Sequence, residues 1–361
     1  MAGKIADLWI PVFILLLATV SSCKKDNTVE EPNPVPHAIK LEVPGNFPAA
    51  QQDLDNPLTA EGIELGRMLF YDVRLSGNNR ISCASCHRQD LAFTDGVALS
   101  TIGVSGKKLD RHAPALFNLA WAKTGLFWDG GSKNLESQAF GPLTSADEMH
   151  QDLLELESEL KQIPGYVSLF RKAFNEDIKS ANMVKALAQF QRTLVSGTSR
   201  YDKFKRAEAG GSLSATELLG MSLVNSKCKS CHSGELFTDD GYHNNGIDAA
   251  FTDEHEGIFQ GRFRVTFDPG DMGKFKTPSL RNVMLTAPYM HDGRFKTIDE
   301  VLDHYQSGIK ISPTTDMLLN QNHGQAGIPL SQTEREAIIA FLGTLTDYEF
   351  TTNKKINNPN P

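Results

Sequence analysis

Cys83-Ala84-Ser85-Cys86-His87 is the stretch whose reading decides the fold. Two cysteines two residues apart, with a histidine directly after the second, form the attachment pattern of a c-type haem. Each thiol can make a thioether to a haem vinyl group, and the histidine stands where the iron takes its proximal ligand. The pattern returns as Cys228-Lys229-Ser230-Cys231-His232. A bare C-x-x-C could be a redox dithiol or half of a zinc site, but neither explains the adjacent histidine twice over. The chain is therefore read as carrying two covalently bound haem c groups, on Cys83, Cys86 and His87 and on Cys228, Cys231 and His232.

Outward from the first motif, the spacing predicts a helix over residues 59–71. Thr59 is its N-cap, Glu61 and Glu64 suit its first turns, and Ile63, Leu65, Met68, Leu69 and Phe70 are its apolar positions. The second half repeats the arrangement. Leu213-Ser214-Ala215 echoes Leu58-Thr59-Ala60, Leu219-Gly220 echoes Leu65-Gly66, and Ser214 with Glu217 makes a capping box before the second motif. A helix leading into C-x-x-C-H is how cytochrome c-like domains are built. The expected fold is mainly α, with two cytochrome c-like haem domains, long loops and an internal duplication. Helices are also expected over 151–162, 165–174, 181–196 and 331–346, the last with Ser331 and Glu334 as a capping box. Residues 239–273 read as loop, with short strands around 262–267.

The domain boundary falls at the glycine-containing joint 207–212. The expected organisation is an N-terminal haem domain over 47–206, a C-terminal haem domain over 207–350 and a disordered tail over 351–361. The 361 residues suffice for two ordinary cores, and 40% hydrophobic with 22% charged residues is the balance of a soluble globular protein. A net charge of −8 speaks against nucleic acid as a partner.

Of the five cysteines, four belong to the haem motifs, which leaves none for a disulfide. The fifth, Cys23, follows an apolar run over 8–20 that is too short to span a bilayer and reads as a signal peptide over 1–22. Val20-Ser21-Ser22-Cys23 resembles a bacterial lipobox, which implies cleavage before Cys23 and lipidation of it. Simple cleavage nearby is the plainer alternative. Residues 23–46, with Pro32, Pro34, Pro36 and Pro44, read as an extended tether. The expected location is the periplasmic side of the cell envelope, lipid-anchored through Cys23. Export fits c-type haem attachment, which takes place outside the cytoplasm.

A c-type haem with two strong axial ligands moves electrons; one with an open side can bind peroxide. Peroxide cleavage also needs a group that moves a proton between the two oxygens and polar groups that hold developing charge. From about Leu58 to Leu345 the chain resembles the bacterial dihaem cytochrome c peroxidases and their MauG-type relatives. The motifs that carry the resemblance are Phe127-Trp128-Asp129-Gly130, Gln138, Gly141-Pro142, Glu148-Met149, the run 275–283 and Tyr289-Met290-His291-Asp292-Gly293. It implies that Glu148 shuttles the peroxide proton, Gln138 orients peroxide or water, Pro142 shapes the distal pocket and Trp128 relays electrons between the haems. Taken singly, Glu148 reads as a solvated loop carboxylate, Gln138 as a helix-surface amide and Trp128 as a core aromatic.

Two positions depart from the family pattern. Val104 stands where many of these peroxidases have a loop histidine that blocks the first haem, and valine cannot ligate iron. The first haem is thus expected to be five-coordinate or water-bound as isolated. A low-spin bis-histidine spectrum for it would contradict this. His112 stands where the family commonly has an asparagine ligand of an interdomain calcium, to which the backbone carbonyls of Thr286 and Pro288 would contribute. Imidazole is a poor calcium ligand, so His112 is not expected to bind the ion.

At the second haem, the family's distal methionine position falls on Tyr305, as in the MauG branch. His304 and Met317 compete with it. Phenolate lowers the haem potential where methionine raises it. His291 is expected to hydrogen-bond near the site, and His37, His243, His255 and His323 read as surface residues. The resulting expectation is a peroxidase that reduces hydrogen peroxide with electrons from a small cytochrome c or cupredoxin. The rival readings are a MauG-like oxidase of a protein side chain and a dihaem electron-transfer cytochrome with both irons closed. A homodimer is carried as the oligomeric expectation.

Overall fold

The computed structural model describes residues 1–3, 35–51 and 53–359. The expected leader from residue 4 on, Cys23 and the first half of the tether lie outside the described residues. Met1–Asn33 is a unit by itself, and all that follows concerns the second unit, Pro34–Pro361. Among the described residues no helix is long and apolar enough to cross a membrane.

The principal helices are α1 (Ala60–Phe70), α2 (Leu135–Thr144), α3 (Leu153–Lys161), α4 (Pro164–Phe174), α5 (Ser180–Arg192), α6 (Ala215–Lys227), α7 (Ile298–Asp303) and α8 (Gln332–Thr344). Local rules start them where expected. The Thr59 hydroxyl accepts from Gly62 N at 3.0 Å, and Ser214/Glu217 and Ser331/Glu334 close reciprocal capping boxes. Helix α5 stops at Arg192, short of the expected 196. Leu194 and Ser196 turn away to pair with Asn118, through its backbone N–H and its side-chain oxygen.

Two helix pairs position the two haem motifs. Helix α1 packs along α5, burying Leu65, Leu69 and Phe70 against Ala186, Leu187 and Phe190. Helix α6 packs along α8, burying Leu223 and Val224 against Ala337, Ile338 and Phe341. Both crossings require a glycine. A Cβ on Gly66 would lie 1.9 Å from Ala186 O and 2.9 Å from Phe190 Cβ. On Gly220 it would lie 1.9 Å from Ala337 O and 2.7 Å from Phe341 Cβ. Only a residue with no side chain lets the backbones come this close.

The two cores exchange chain. Tyr201 packs into the second core, while Phe350 and Ile356 pack into the first. The tail expected to be disordered from 351 is therefore held through 359. Gln89 Nε2 donates to Phe350 O (3.1 Å) and Asn353 O (2.9 Å), and the Tyr71 hydroxyl donates to Ile356 O (2.8 Å). Two buried apolar side chains and satisfied carbonyls outweigh the polar composition of this segment.

The strands expected around 262–267 are also absent. Phe263–Thr266 is a helical turn, with Phe267 N–H donating to Phe263 O at 2.8 Å. The β-branched and aromatic composition is overridden by these local hydrogen bonds. The one two-stranded sheet among the described residues pairs β1 (Tyr242–His243) antiparallel with β2 (Phe275–Lys276), closing the base of the long loop.

Candidate functional site

Cys83–Cys86 form one helical turn, and His87 N–H donates to Cys83 O at 2.9 Å. The His87 ring then meets Phe93 O through Nδ1 at 2.9 Å. His232 meets Phe237 O in the same way at 3.2 Å. A carbonyl fixes Nδ1 as the protonated nitrogen and leaves Nε2 free for iron. Both carbonyls come from phenylalanines with positive φ, 61° at Phe93 and 51° at Phe237. Bulky residues rarely adopt that conformation, so its recurrence behind both histidines marks a constraint from the site. Burial lowers the basicity of both imidazoles and keeps them in the neutral, ligating form. Before attachment, burial also pushes the Cys83 thiol up to about 12 and the Cys86 and Cys228 thiols up to about 11.

A cavity of about 620 Å³ opens beside Cys228, Cys231 and His232, walled by Val224, Leu302 and Leu342. Its size and apolar lining are those of a cofactor cavity. Attachment cysteines, a correctly presented imidazole and an apolar slot fit a covalent haem here. At the first motif the same cysteine and histidine geometry fits a second.

The cavity continues to Trp128 and Gln138. Trp128 bridges the two halves: its indole N–H donates to His112 O at 2.8 Å, and its carbonyl accepts from Lys276 N at 2.8 Å. Gln138 and Pro142 sit four residues apart in α2 and so share one helix face. Pro142 and Glu148 are not in the wall of this cavity. Glu148 lies instead near the first motif, close enough for its charge to bear on the Cys86 sulfur. Burial raises the Glu148 carboxyl above its ordinary value, opposed by a hydrogen bond from Ser145 and reinforced by Asp147. The Val104 N–H donates to the backbone carbonyl of Glu148 at 2.7 Å.

Tyr305 is in the cavity wall with His232. Burial pushes its phenol up to about 12, and a hydrogen bond from the Asn245 side chain works against that. Its two competitors are placed differently. His304 is buried with Nε2 3.0 Å from Asn245 O, and Met317 is 78% exposed. His291 stacks on Phe275 at 3.6 Å between ring centroids, which serves packing where hydrogen bonding was expected. His243 is not a surface residue. It bridges Asp316 (2.5 Å) and Asp239 (2.8 Å) at the cavity wall. Asn245, whose amide also donates to Met290 Sδ at 3.3 Å, was missed in the sequence. Nothing in the spacing of an asparagine within a glycine-rich loop singles it out.

Thr286 and Pro288 line the same cavity. His112 does not fit calcium. At the position where an oxygen side chain is required, His112 offers an imidazole whose Nδ1 is turned to Val97 O at 2.8 Å, and its carbonyl is taken by the Trp128 indole. Among the described residues no three His, Cys, Asp or Glu side chains converge on a metal-sized space.

The chain is similar to known proteins over most of its length. A family model described as di-haem cytochrome c peroxidase matches residues 60–210. The methylamine utilization protein MauG of Methylorubrum extorquens is 38% identical over 294 residues, which cover 80% of this chain and 79% of that protein. The cytochrome c551 peroxidase of Nitrosomonas europaea is 32% identical over 311 residues, covering 84% and 87%. A solved structure of a MauG-like protein associated with microbial copper homeostasis matches with a TM-score of 0.81 at 35% identity, covering 89% of this chain and 99% of that one.

Proposed function

The chain belongs to the di-haem cytochrome c peroxidase family, and on that premise we propose how its residues divide the work. The protein is a peroxidase: hydrogen peroxide, two electrons from a cytochrome-type donor and two protons give two molecules of water. When bound, the haem on His87 supplies an iron to take peroxide and the redox capacity to cleave it. Glu148 takes the proton from the inner peroxide oxygen and returns it to the outer one, so that water leaves. Gln138 holds peroxide or water by hydrogen bonds from its amide, and Pro142 shapes the pocket one turn further along α2. Trp128 carries electrons between the halves. The single observation that carries this reading is the half-buried Glu148 carboxyl, close enough for its charge to bear on Cys86 and with its proton affinity raised by burial. Val104 stands where a blocking histidine would be, its N–H donating to Glu148 O, and this supports an open far side at the first haem.

Tyr305 is the proposed distal ligand of the haem on His232. Its place in the cavity wall, against exposed Met317 and a carbonyl-bound His304, supports this over either competitor. Replacing Tyr305 with phenylalanine is expected to shift the absorption and EPR spectrum of that haem alone; an unchanged spectrum contradicts the assignment. The same tyrosine favours a second reading, a MauG-like oxidase of a protein side chain. Mixing with peroxide in the presence of reduced cytochrome c separates the two. Catalytic loss of the reduced cytochrome band is expected, whereas a long-lived oxidised state indifferent to the donor supports the oxidase.

The two halves are proposed to derive from a duplication. The support is the repeated glycine crossing at Gly66 and Gly220 and the repeated phenylalanine carbonyl behind each histidine. Anchorage on the periplasmic side through a lipid on Cys23 is proposed from the lipobox-like junction, and mass spectrometry of the purified N-terminus tests it.

A further inference from the structure

We propose that Gly103 is a positioning residue for Glu148, seating the segment 100–107 against the peptide that carries the carboxyl. This rests on the role given to Glu148 above. A Cβ on Gly103 would lie 1.8 Å from Asp147 O, 2.8 Å from Asp147 C and 3.1 Å from Glu148 Cα. Those are backbone atoms, and no side-chain rotation relieves the clash. The absent side chain lets Val104 N–H reach Glu148 O at 2.7 Å. Two further contacts hold the neighbouring carboxylate: Asp147 accepts from the Ser105 side chain and lies 3.5 Å from Lys107 Nζ.

The segment is anchored at its start beside the first haem motif, with Ser100 Oγ 4.0 Å from Cys86 Sγ. On its far side the acid/base strip meets a second glycine. Gly77 N–H donates to Met149 O at 2.9 Å, and a Cβ on Gly77 would lie 2.2 Å from His150 O. The strip from Asp147 to His150 thus runs between two glycine contacts, and Glu148 is held between them. The arrangement fixes the height of the carboxyl relative to Cys86, and so to whatever binds on the open face at His87. A displacement of about 1 Å in such a group can cost about a hundredfold in rate.

The test is a cycle on the full-length holoprotein. Gly103→Ala, Glu148→Gln and the double variant are mixed with hydrogen peroxide across a pH series. Gly103→Ala is expected to slow the reaction about tenfold to a hundredfold and to flatten the acid limb of the pH profile. The double variant is expected to be no slower than Glu148→Gln alone, because both changes act through one carboxyl. Hydrogen–deuterium exchange gives a readout independent of turnover. The 100–107 segment and the 147–149 strip should gain exchange in Gly103→Ala and keep wild-type protection in Gly165→Ala, where the backbone is helical and an added Cβ meets nothing within 4 Å.

Wild-type rate and pH profile in folded Gly103→Ala overturn the proposal. So does a loss that multiplies in full with that of Glu148→Gln. If Glu148→Gln itself leaves the rate unchanged, the role of Glu148 fails instead, and the exchange result alone then decides whether Gly103 seats the strip. Should Gly103→Ala not fold, Ser105→Ala with Lys107→Met releases Asp147 without crowding. An about two- to fivefold slowing with the same flattened limb is expected, and wild-type behaviour overturns the proposal.

Discussion

Replacing Glu148 with glutamine lowers the rate of reaction with hydrogen peroxide by about 10²- to 10⁴-fold, the range for losing a general acid–base group. The substitution keeps the shape and most of the hydrogen bonding, so folding and haem attachment are retained, and only the movable proton is lost. The carboxyl is suited to the task because burial raises its proton affinity, with the Ser145 hydrogen bond opposing and the Asp147 charge adding to the shift. A general base must be ionised to start the reaction. The wild-type rate therefore falls as pH drops through the Glu148 pKa, and that limb lies above the ordinary carboxylate value of 4.5. The glutamine variant lacks the limb. Stopped-flow absorbance after peroxide mixing, repeated from pH 4 to pH 8, reads both effects. A variant within about threefold of wild type at every pH would remove Glu148 from the mechanism.

The second large effect is on stability. Arg281 and Asp202 form a fully buried pair, with two hydrogen bonds of 2.8 Å between guanidinium and carboxylate. Arg281 also donates to Glu235 O at 2.7 Å and lies 4.4 Å over the Phe47 ring, and Asp202 also accepts from Ser199 and Asn46. The pair thus ties the segment before the second haem motif to the wall of its cavity. Asp202→Ala leaves a fully buried guanidinium with no carboxylate, at a cost of about 3–5 kcal/mol. Urea denaturation read by circular dichroism measures it, and a change below about 1 kcal/mol would contradict the assignment. Burial alone raises the Asp202 carboxyl, but the Arg281 hydrogen bonds and charge, with Ser199 and Asn46, bring it below its ordinary value. A depressed carboxyl stabilises fully above its unfolded value of about 3.9. That contribution is lost as pH falls through the folded value, so wild type loses it in acid and Asp202→Ala has none to lose.

What could be read in the sequence was what chemistry or local geometry writes into adjacent residues. The C-x-x-C-H motifs state covalent attachment and a proximal ligand within five residues. Thr59, Ser214 and Ser331 announce helix starts because a cap needs only the next three residues. Gln138 and Glu148 were visible only through their spacing from Trp128, since neither residue type is unusual by itself. The rest depends on contacts between distant segments. Asp202 meets Arg281 across 79 residues of chain, and Gly103 matters because Asp147 O passes beside it. The carbonyls of Phe93 and Phe237 serve the histidines through a positive φ, which phenylalanine does not advertise. The final residues read as a polar tail because Ile356 stands alone there, and its pocket in the first core is built by residues nearly 300 positions earlier.

The account turns on the haem held by His87 having an open far side that Glu148 serves. The most direct test is to mix the fully oxidised protein with one equivalent of hydrogen peroxide, with no prior reduction and no donor, and follow EPR and absorbance together. A high-spin ferric signal present at the start and lost within the mixing experiment is the predicted result. A wholly low-spin spectrum that peroxide leaves unchanged until the protein is first reduced would contradict it.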